Sequence, residues 1–483
     1  MEYVINNLSP KMLYNYFEEI CAIPHGSGNE AAIAQYICDQ AESFGLWYKK
    51  DAYNNVLVKK PASAGSEDKP ALLLQGHIDM VCEKNADTDF DFLKDGIRLV
   101  VNGDILTADG TTLGADDGSG VAYMLTFMAM DNESFPHPPL EFCFTSGEEL
   151  GFVGALHMDL SDVASKQMIG LDAGPEGVTY TTSAGAQGVD MYLETPVSDV
   201  CGCAVKINIS GLLGGHSALN INDEKGNANK LLGRLLHNMD KAAPLRIASI
   251  KGGAMKNAIP REATAVVVFD PACKDAVMAQ IDRIAAQVAV EYAVSDPDIL
   301  ITAEQATANT AIDRDASKAI INALYCIPNG VRVMSREIPG LPVTSTNMGV
   351  VCQTENGVNI NTFLRSSSRS INDDYVDHMT TIASMCGFTC TVGDWLPAWP
   401  YKADDKLRSL AADLYKEQIG QDMKMLAVHG GLELGIFSEA IPGLEIVTIG
   451  CNAGDCHTVT EWMSLSSFAN TFEFLKDIIA KLS

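Results

Sequence analysis

Five short segments place histidine and carboxylate side chains where a metal ion could be held. The first, Gly76-His77-Ile78-Asp79, follows the apolar run ALLLQ. Residues i and i+2 of a strand share a face, so His77 can ligate an ion while Asp79 orients the imidazole from behind. Standing alone, the pair would equally suit a hydrogen-bonded loop histidine. The second, Gly114-Ala115-Asp116-Asp117-Gly118, heads a helical stretch. Its carboxylates are either an acidic cap favoured by the helix dipole or, at Asp116, a bridge between two ions. The third, Thr145-Ser146-Gly147-Glu148-Glu149, follows LEFCF. Such glutamates can be solvated surface, or one can ligate while the other holds a water as general base. Asp172 ends MIGLD, where an acidic turn residue is ordinary, and His457 lies in GCNAGDCHT after LEIVTIG. Each has an everyday alternative; together, at the ends of several strands, they point to a metal centre. Imidazole and carboxylate donors without thiolate suit zinc, manganese or cobalt better than calcium or an iron–sulfur cluster.

The elements that must carry these residues read as an α/β layer. Residues 31–45 have helical apolar spacing and stop at Gly45. A strand is expected at 55–59, then a polar loop at 61–69. ALLLQ has the continuous apolar character of a strand buried on both faces. A helix at 120–130 and strands at 140–145 and 168–171 continue the alternation, which implies a mostly parallel sheet. In such sheets the chemistry gathers at strand ends. From residue 187 the texture changes to alternating strands, with helices at 227–239 and 271–292, and the order recurs more loosely over 316–386. This predicts an inserted α+β domain, 187–394, with two related lobes. WLPAWP (395–400) leads back to a discontinuous catalytic domain of 1–186 and 395–483, closed by an amphipathic helix at 464–482. Within the insertion, His216 sits in a Gly-Gly-His-Ser turn, a compliant loop from which imidazole can face a developing oxyanion, though an exposed loop histidine looks the same in sequence.

Composition narrows the function classes. The 483 residues carry 62 Asp plus Glu against 34 Lys plus Arg, a formal net charge of -28. No basic stripe exists to displace counterions from phosphates, which argues against a nucleic-acid partner, and the acidity disfavours anionic membranes. No apolar run reaches the length of a transmembrane helix, and the first twenty residues lack a signal-peptide pattern, so a cytoplasmic protein is expected. The 13 cysteines are scattered through apolar runs, as reduced core thiols are. Neither Cys201/Cys203 nor Cys451/Cys456 has the second pair that a structural zinc needs.

The ordered set H-x-D, GADDG, GEE, strand-terminal Asp and late His resembles the M20 family of di-zinc peptidases, and within it the aminoacyl-histidine dipeptidase (Xaa-His dipeptidase) group. The resemblance spans essentially the whole chain, through GHIDMVCEKN, DGTTLGADDGSGVA, TSGEELGFVGA, GLLGGHSALNIN, KNAIPREA, NTFLRSSSRS and AVHGGLELGIF. It implies a zinc-peptidase-like α/β domain with an inserted lid. It further implies two divalent ions, zinc with manganese or cobalt as alternatives. His77 and Asp172 would bind one, Glu149 and His457 the other, and Asp116 both. Asp79 would support His77, Glu148 would be the general base, and a cis peptide would follow Asp116. His216 would stabilise the tetrahedral intermediate, while Asn257, Arg365 and the backbone near Gly430 and Gly431 would hold a peptide's C-terminal carboxylate, with Arg369 as the alternative cation and His429 nearby. Arginine suits the task because its fork stays charged and pairs bidentately.

The implied activity is hydrolysis of Xaa-His and other dipeptides. A tripeptidase or N-acyl amino acid deacylase is the nearest alternative, and a non-catalytic metal scaffold a more distant one, since a scaffold has no use for Glu148. Smaller members dimerise through a one-lobed lid and supply the oxyanion histidine from the partner. The doubled lid here implies that His216 acts within its own chain, with a homodimer still compatible. Departures from the pattern are the weakened acidic cluster after Asp172, the altered continuation after Ser217 and Cys456 beside His457.

Overall fold

The computed structural model describes residues 3–5 and 8–483. It divides into two compact units, residues 1–181, 401–426 and 436–483 forming the first and 182–400 with 427–435 the second.

The first unit is built on a six-stranded sheet in the order Trp47–Lys50, Val56–Lys60, Leu140–Thr145, Leu72–His77, Gln167–Gly170, Glu445–Thr448. The first two neighbour pairs are antiparallel and the last three parallel. Leu72, Leu73 and Leu74 are wholly buried, as a central parallel strand covered on both faces should be. Helices Lys11–Cys21, Ala31–Ser43, Ala115–Ala129, Lys406–Ile419 and Leu465–Leu482 contribute to its core. The rings of Tyr123 and Phe468 lie 4.9 Å apart, and those of Phe127 and Phe472 likewise. Such offset aromatic pairs add to the burial that fixes helix against helix.

Register explains why the acidic loops converge. His77 pairs with Thr145, and Gly170 with both Gln75 and Thr448. Parallel strands in this register end together, so the loops carrying Asp79, Glu148 and Asp172 leave the same edge. The helix expected at 120–130 begins earlier, at Ala115; its first turn is irregular, with extended backbone at Asp116 and a cis peptide between Asp116 and Asp117. Helix Lys11–Cys21 and the hairpin of Leu99–Asn102 and Ile105–Ala108, which pairs with Trp462–Ser464, were not anticipated.

The second unit is a nine-stranded antiparallel sheet ordered Leu300–Ala306, Cys203–Ser210, Ala263–Phe269, Arg246–Gly252, Pro342–Gln353, Gly357–Ser366, Gly185–Glu194, Thr389–Val392, with Gly330–Met334 also on Pro342–Gln353. Helices Ala228–Ala242, Lys274–Glu291, Arg314–Cys326 and Arg369–Met385 pack on one core. The strands from residues 203–306 and those from residues 342–366 are joined where Lys251 and Gly252 pair with Cys352 and Val351. They share one sheet and one core rather than forming separate bodies.

The border between units differs from the expected 186/187 and 394/395. Gly185 and Ala186 pair with Ser366 and Arg365, and Leu396 and Trp399 bridge to Ala186 and Ser183, so 182–186 and 395–400 join the second unit. Residues 427–435 join it too: Val428 donates to the Thr182 carbonyl at 3.2 Å and Gly430 accepts from Ala184 at 2.9 Å. These are backbone bonds between segments far apart in sequence, which no local pattern announces.

Candidate metal centre

The five segments meet. His77 is 1 % exposed at the end of its strand; its Nε2 lies 3.0 Å from Asp116 Oδ1 and its Nδ1 3.0 Å from the Asp79 carbonyl. Asp79 accepts from Ser27 Oγ (2.8 Å) and from the amides of Glu148 (3.0 Å) and Glu149 (3.3 Å). It thus ties the HxD turn to the GEE turn. His457, held in a left-handed conformation (φ 64°), places Nε2 2.6 Å from Glu149 Oε1 and 3.3 Å from Asp116 Oδ2. Ligand-capable atoms lie within 4.8 Å of one another in the triad His77, Asp116, Asp172 and in the triad Asp116, Glu149, His457. Asp116 is common to both. His77, Glu148 and Glu149 form a third such group.

Electrostatics mark the cluster as short of positive charge. Burial pushes the Asp172 carboxyl up to about 7, reinforced by Asp116. Burial, then Asp172, holds Asp117 well above the carboxylate range. Hydrogen bonds that His457 donates to Asp116 and Glu149 raise it to about 10. Burial works against protonating His77, but Asp116 and Asp79 outweigh it and keep the imidazole well above its usual value. Among the described residues no lysine or arginine pairs with Asp79, Asp116, Glu149 or Asp172; the first three pair with the two histidines. Buried carboxylates need a compensating charge, and oxygen and imidazole donors at this spacing fit divalent cations.

The substrate-holding candidates all lie in the second unit. Strand pairing sets His216 opposite Ala258, and Ser217 donates to the Asn257 carbonyl at 2.8 Å, so His216 and Asn257 are neighbours. The Ala218 amide points at His216 Nδ1 at 3.4 Å. A neutral ring accepting there carries its proton on Nε2, the nitrogen left to donate. Arg365 is 7 % exposed; its Nε donates to Ser217 Oγ at 3.3 Å and its guanidinium lies 5.1 Å from the Phe363 ring centroid. No carboxylate among the described residues pairs with it, and burial lowers it to about 10. Arg369, the alternative, is exposed and already engaged by Asp373 at 2.9 Å and by the Trp395 ring. Ser345, cross-strand partner of Arg365, lies 2.8 Å from His429 Nε2, which brings the segment bearing Gly431 alongside Arg365.

Residues 73–481 match the model of peptidase family M20/M25/M40. A relative from Escherichia coli, named cytosol non-specific dipeptidase, is 32% identical across 99% of both chains. The chain belongs to the M20/M25/M40 peptidase family. The crystal structure of aminoacylhistidine dipeptidase from Vibrio alginolyticus is similar to this M20 peptidase with a TM-score of 0.93 and 32% identity, over 99% of this chain and 98% of that one. At 17% identity and a TM-score of 0.57, aminopeptidase PepT from Bacillus cereus shares the fold over 98% of each chain. No helix among the described residues is long and apolar enough to cross a membrane.

Two contributors to the centre of this M20 peptidase were missed in sequence. Ser27, bonded to Asp79, lies 52 residues away in a turn with no pattern of its own. Glu461, four residues after His457, is 2 % exposed and turns its carboxylate to the backbone beneath Asp116. Its only sequence signal was an acidic residue shortly after a candidate ligand.

Proposed function

We propose that this M20 peptidase is a cytosolic, metal-dependent dipeptidase acting on short peptides with a free C-terminal carboxylate. The reading is carried by two His/carboxylate triads that share Asp116, with Glu148 in the adjoining group. His77, Asp116 and Asp172 would hold one divalent ion, and Asp116, Glu149 and His457 a second, zinc by donor type with manganese or cobalt as alternatives. Such ions, when bound, acidify water and polarise a carbonyl.

The chain's own groups do the rest. Glu148 takes the proton of the attacking water and returns it to the leaving amine. Asp79 fixes the His77 ring, as a carboxylate behind a ligating histidine does. His216 donates from Nε2 to the developing oxyanion. Arg365, with Asn257 and the Gly431 backbone, holds the substrate carboxylate; a buried, uncompensated guanidinium suits an anionic ligand group. The doubled order of elements read in the lid's sequence supports His216 acting in its own chain, so that catalysis does not require a dimer.

The relatives differ in named breadth, one being called non-specific and another aminoacylhistidine-directed. The test is a panel of Xaa-His dipeptides, other dipeptides, tripeptides and N-acyl amino acids, offered to protein reconstituted with zinc, manganese or cobalt. Dipeptide cleavage is expected. Failure of a metal-replete sample to cleave any peptide refutes the reading, and preference for tripeptides or acyl amino acids replaces it with the neighbouring activity.

A further inference from the structure

We infer that Glu461 is a positioning residue for the metal centre, a buried carboxylate that clamps the backbone carrying Asp116; the inference rests on the metal reading above. Glu461 Oε2 accepts from the amides of Leu113 (2.8 Å) and Gly114 (3.0 Å), and Oε1 from those of Ala115 (2.9 Å) and Asp116 (3.4 Å). Four consecutive N–H groups therefore point at one side chain from nearly 350 residues away in sequence.

The local chain needs such a partner. Helix Ala115–Ala129 starts after Gly114, which has left-handed backbone (φ 74°) and no side chain to cap the helix. The first amides of a helix have no intrahelical acceptor, and buried orphans are costly. Asp117 Oδ1 accepts from the Gly120 amide at 3.0 Å within the segment, and the four amides before it, Leu113 to Asp116, are met from outside by Glu461. A Cβ at Gly114 would sit 2.9 Å from Met80 Sδ, so the loop is pressed against the HxD segment on its other side.

The same residue joins two ligand-bearing segments, because Glu461 follows His457 by four positions. Asp116 belongs to both triads, so a change in its backbone reaches both ion sites at once. Asp79, by contrast, acts through His77 and the Glu148–Glu149 turn. Glutamine at 461 would keep the shape but offer one acceptor oxygen and one NH2 group, which faces backbone N–H groups with the wrong polarity.

The test uses the full chain stripped by chelator and titrated with Co2+, followed by calorimetry and visible absorption. The variants are Glu461→Gln, Glu461→Asp and a core control, Phe472→Leu, which thins the ring packing on Phe127 far from any proposed ligand in sequence. Expected for Glu461→Gln is a 10–100-fold loss of Co2+ affinity, the usual effect of removing a group that supports a ligand. Peptidase activity should return when excess metal is supplied. Glu461→Asp, which keeps both oxygens on a shorter stem, should lose less. Phe472→Leu should lower Tm and leave Co2+ affinity and spectrum unchanged. Affinity for Glu461→Gln within twofold of the parent, or a loss no larger than in the core control, overturns the inference. If Glu461→Gln does not fold, Glu461→Asp is judged by the same affinity criterion. If neither folds, Glu461 is a folding determinant and the positioning role falls. Failure of the parent chain to bind two ions would instead refute the metal reading, leaving the two failures distinguishable.

Discussion

Arg365→Met should make the protein more stable and a far poorer enzyme. Arg365 is 7 % exposed, touches Ser217 Oγ and the Phe363 ring, and has no carboxylate partner among the described residues. Burial lowers it to about 10, equivalent to roughly 3 kcal/mol against the charged form. Below pH 10 the guanidinium is charged in folded and unfolded chains alike, so this penalty is fully present at neutral pH and fades only as the pH rises above 10. Methionine fills similar volume without the charge, and replacing buried charges by apolar groups is often stabilising. An increase of about 1–3 kcal/mol in urea unfolding is expected, the upper end being trimmed by loss of the Phe363 and Ser217 contacts. Truncating one member of a buried charge pair costs about 2–5 kcal/mol, so kcat/KM for a dipeptide should fall at least about 30-fold, chiefly through KM. The decisive assay compares a dipeptide with its C-terminal amide. The parent should discriminate strongly between them and Arg365→Met hardly at all. A variant that remains as sensitive to amidation as the parent, or that is destabilised by more than about 1 kcal/mol, refutes the assignment of Arg365 to the substrate carboxylate.

Three further outcomes follow from the same geometry. Glu148→Ala should bind two equivalents of metal, measured by elemental analysis, yet lose about 10²–10⁴-fold in kcat; loss of metal or fold instead would mean that Glu148 and Glu149 have been given each other's roles. Metal uptake should release protons, because His457, raised to about 10, and Asp172, raised to about 7, must give theirs up to ligate. Affinity should therefore climb with pH through 7 and on towards 10, and calorimetry in buffers of different ionisation enthalpy that finds no proton release contradicts the ligand set. Mixing a His216→Ala chain with a Glu148→Ala chain should restore no activity, whereas recovery would show that the histidine crosses between subunits.

Much of the first unit was legible because its strands are short apolar runs ended by polar residues, and Leu140–Thr145 falls where LEFCFT was read. Helix Ala115–Ala129 was read five residues short, because the Asp116–Asp117 turn interrupts its pattern. Helix Lys11–Cys21 and the hairpin of Leu99–Asn102 and Ile105–Ala108 were not anticipated; the hairpin strands are four residues each and largely unburied, so no continuous apolar run marks them. In the second unit a recurring order of elements was legible, but its assembly as one sheet rests on the pairing of Lys251 and Gly252 with Cys352 and Val351. The choice between Arg365 and Arg369, four residues apart, was open until burial separated them: one is buried with no carboxylate partner among the described residues and the other pairs with Asp373 in solvent.

Which side chains can ligate, which can take a proton, and that most stand at strand ends could be read from the chain, because residue chemistry and hydrophobic periodicity are local properties. That those ends are flush, that Asp116 belongs to both triads, that 427–435 joins the second unit, and that Glu461 closes on the amides beneath Asp116 emerged with the folded chain. Each of those depends on groups tens to hundreds of residues apart, brought together by burial of the core. Contacts of that span leave no period and no spacing in the chain to be read beforehand.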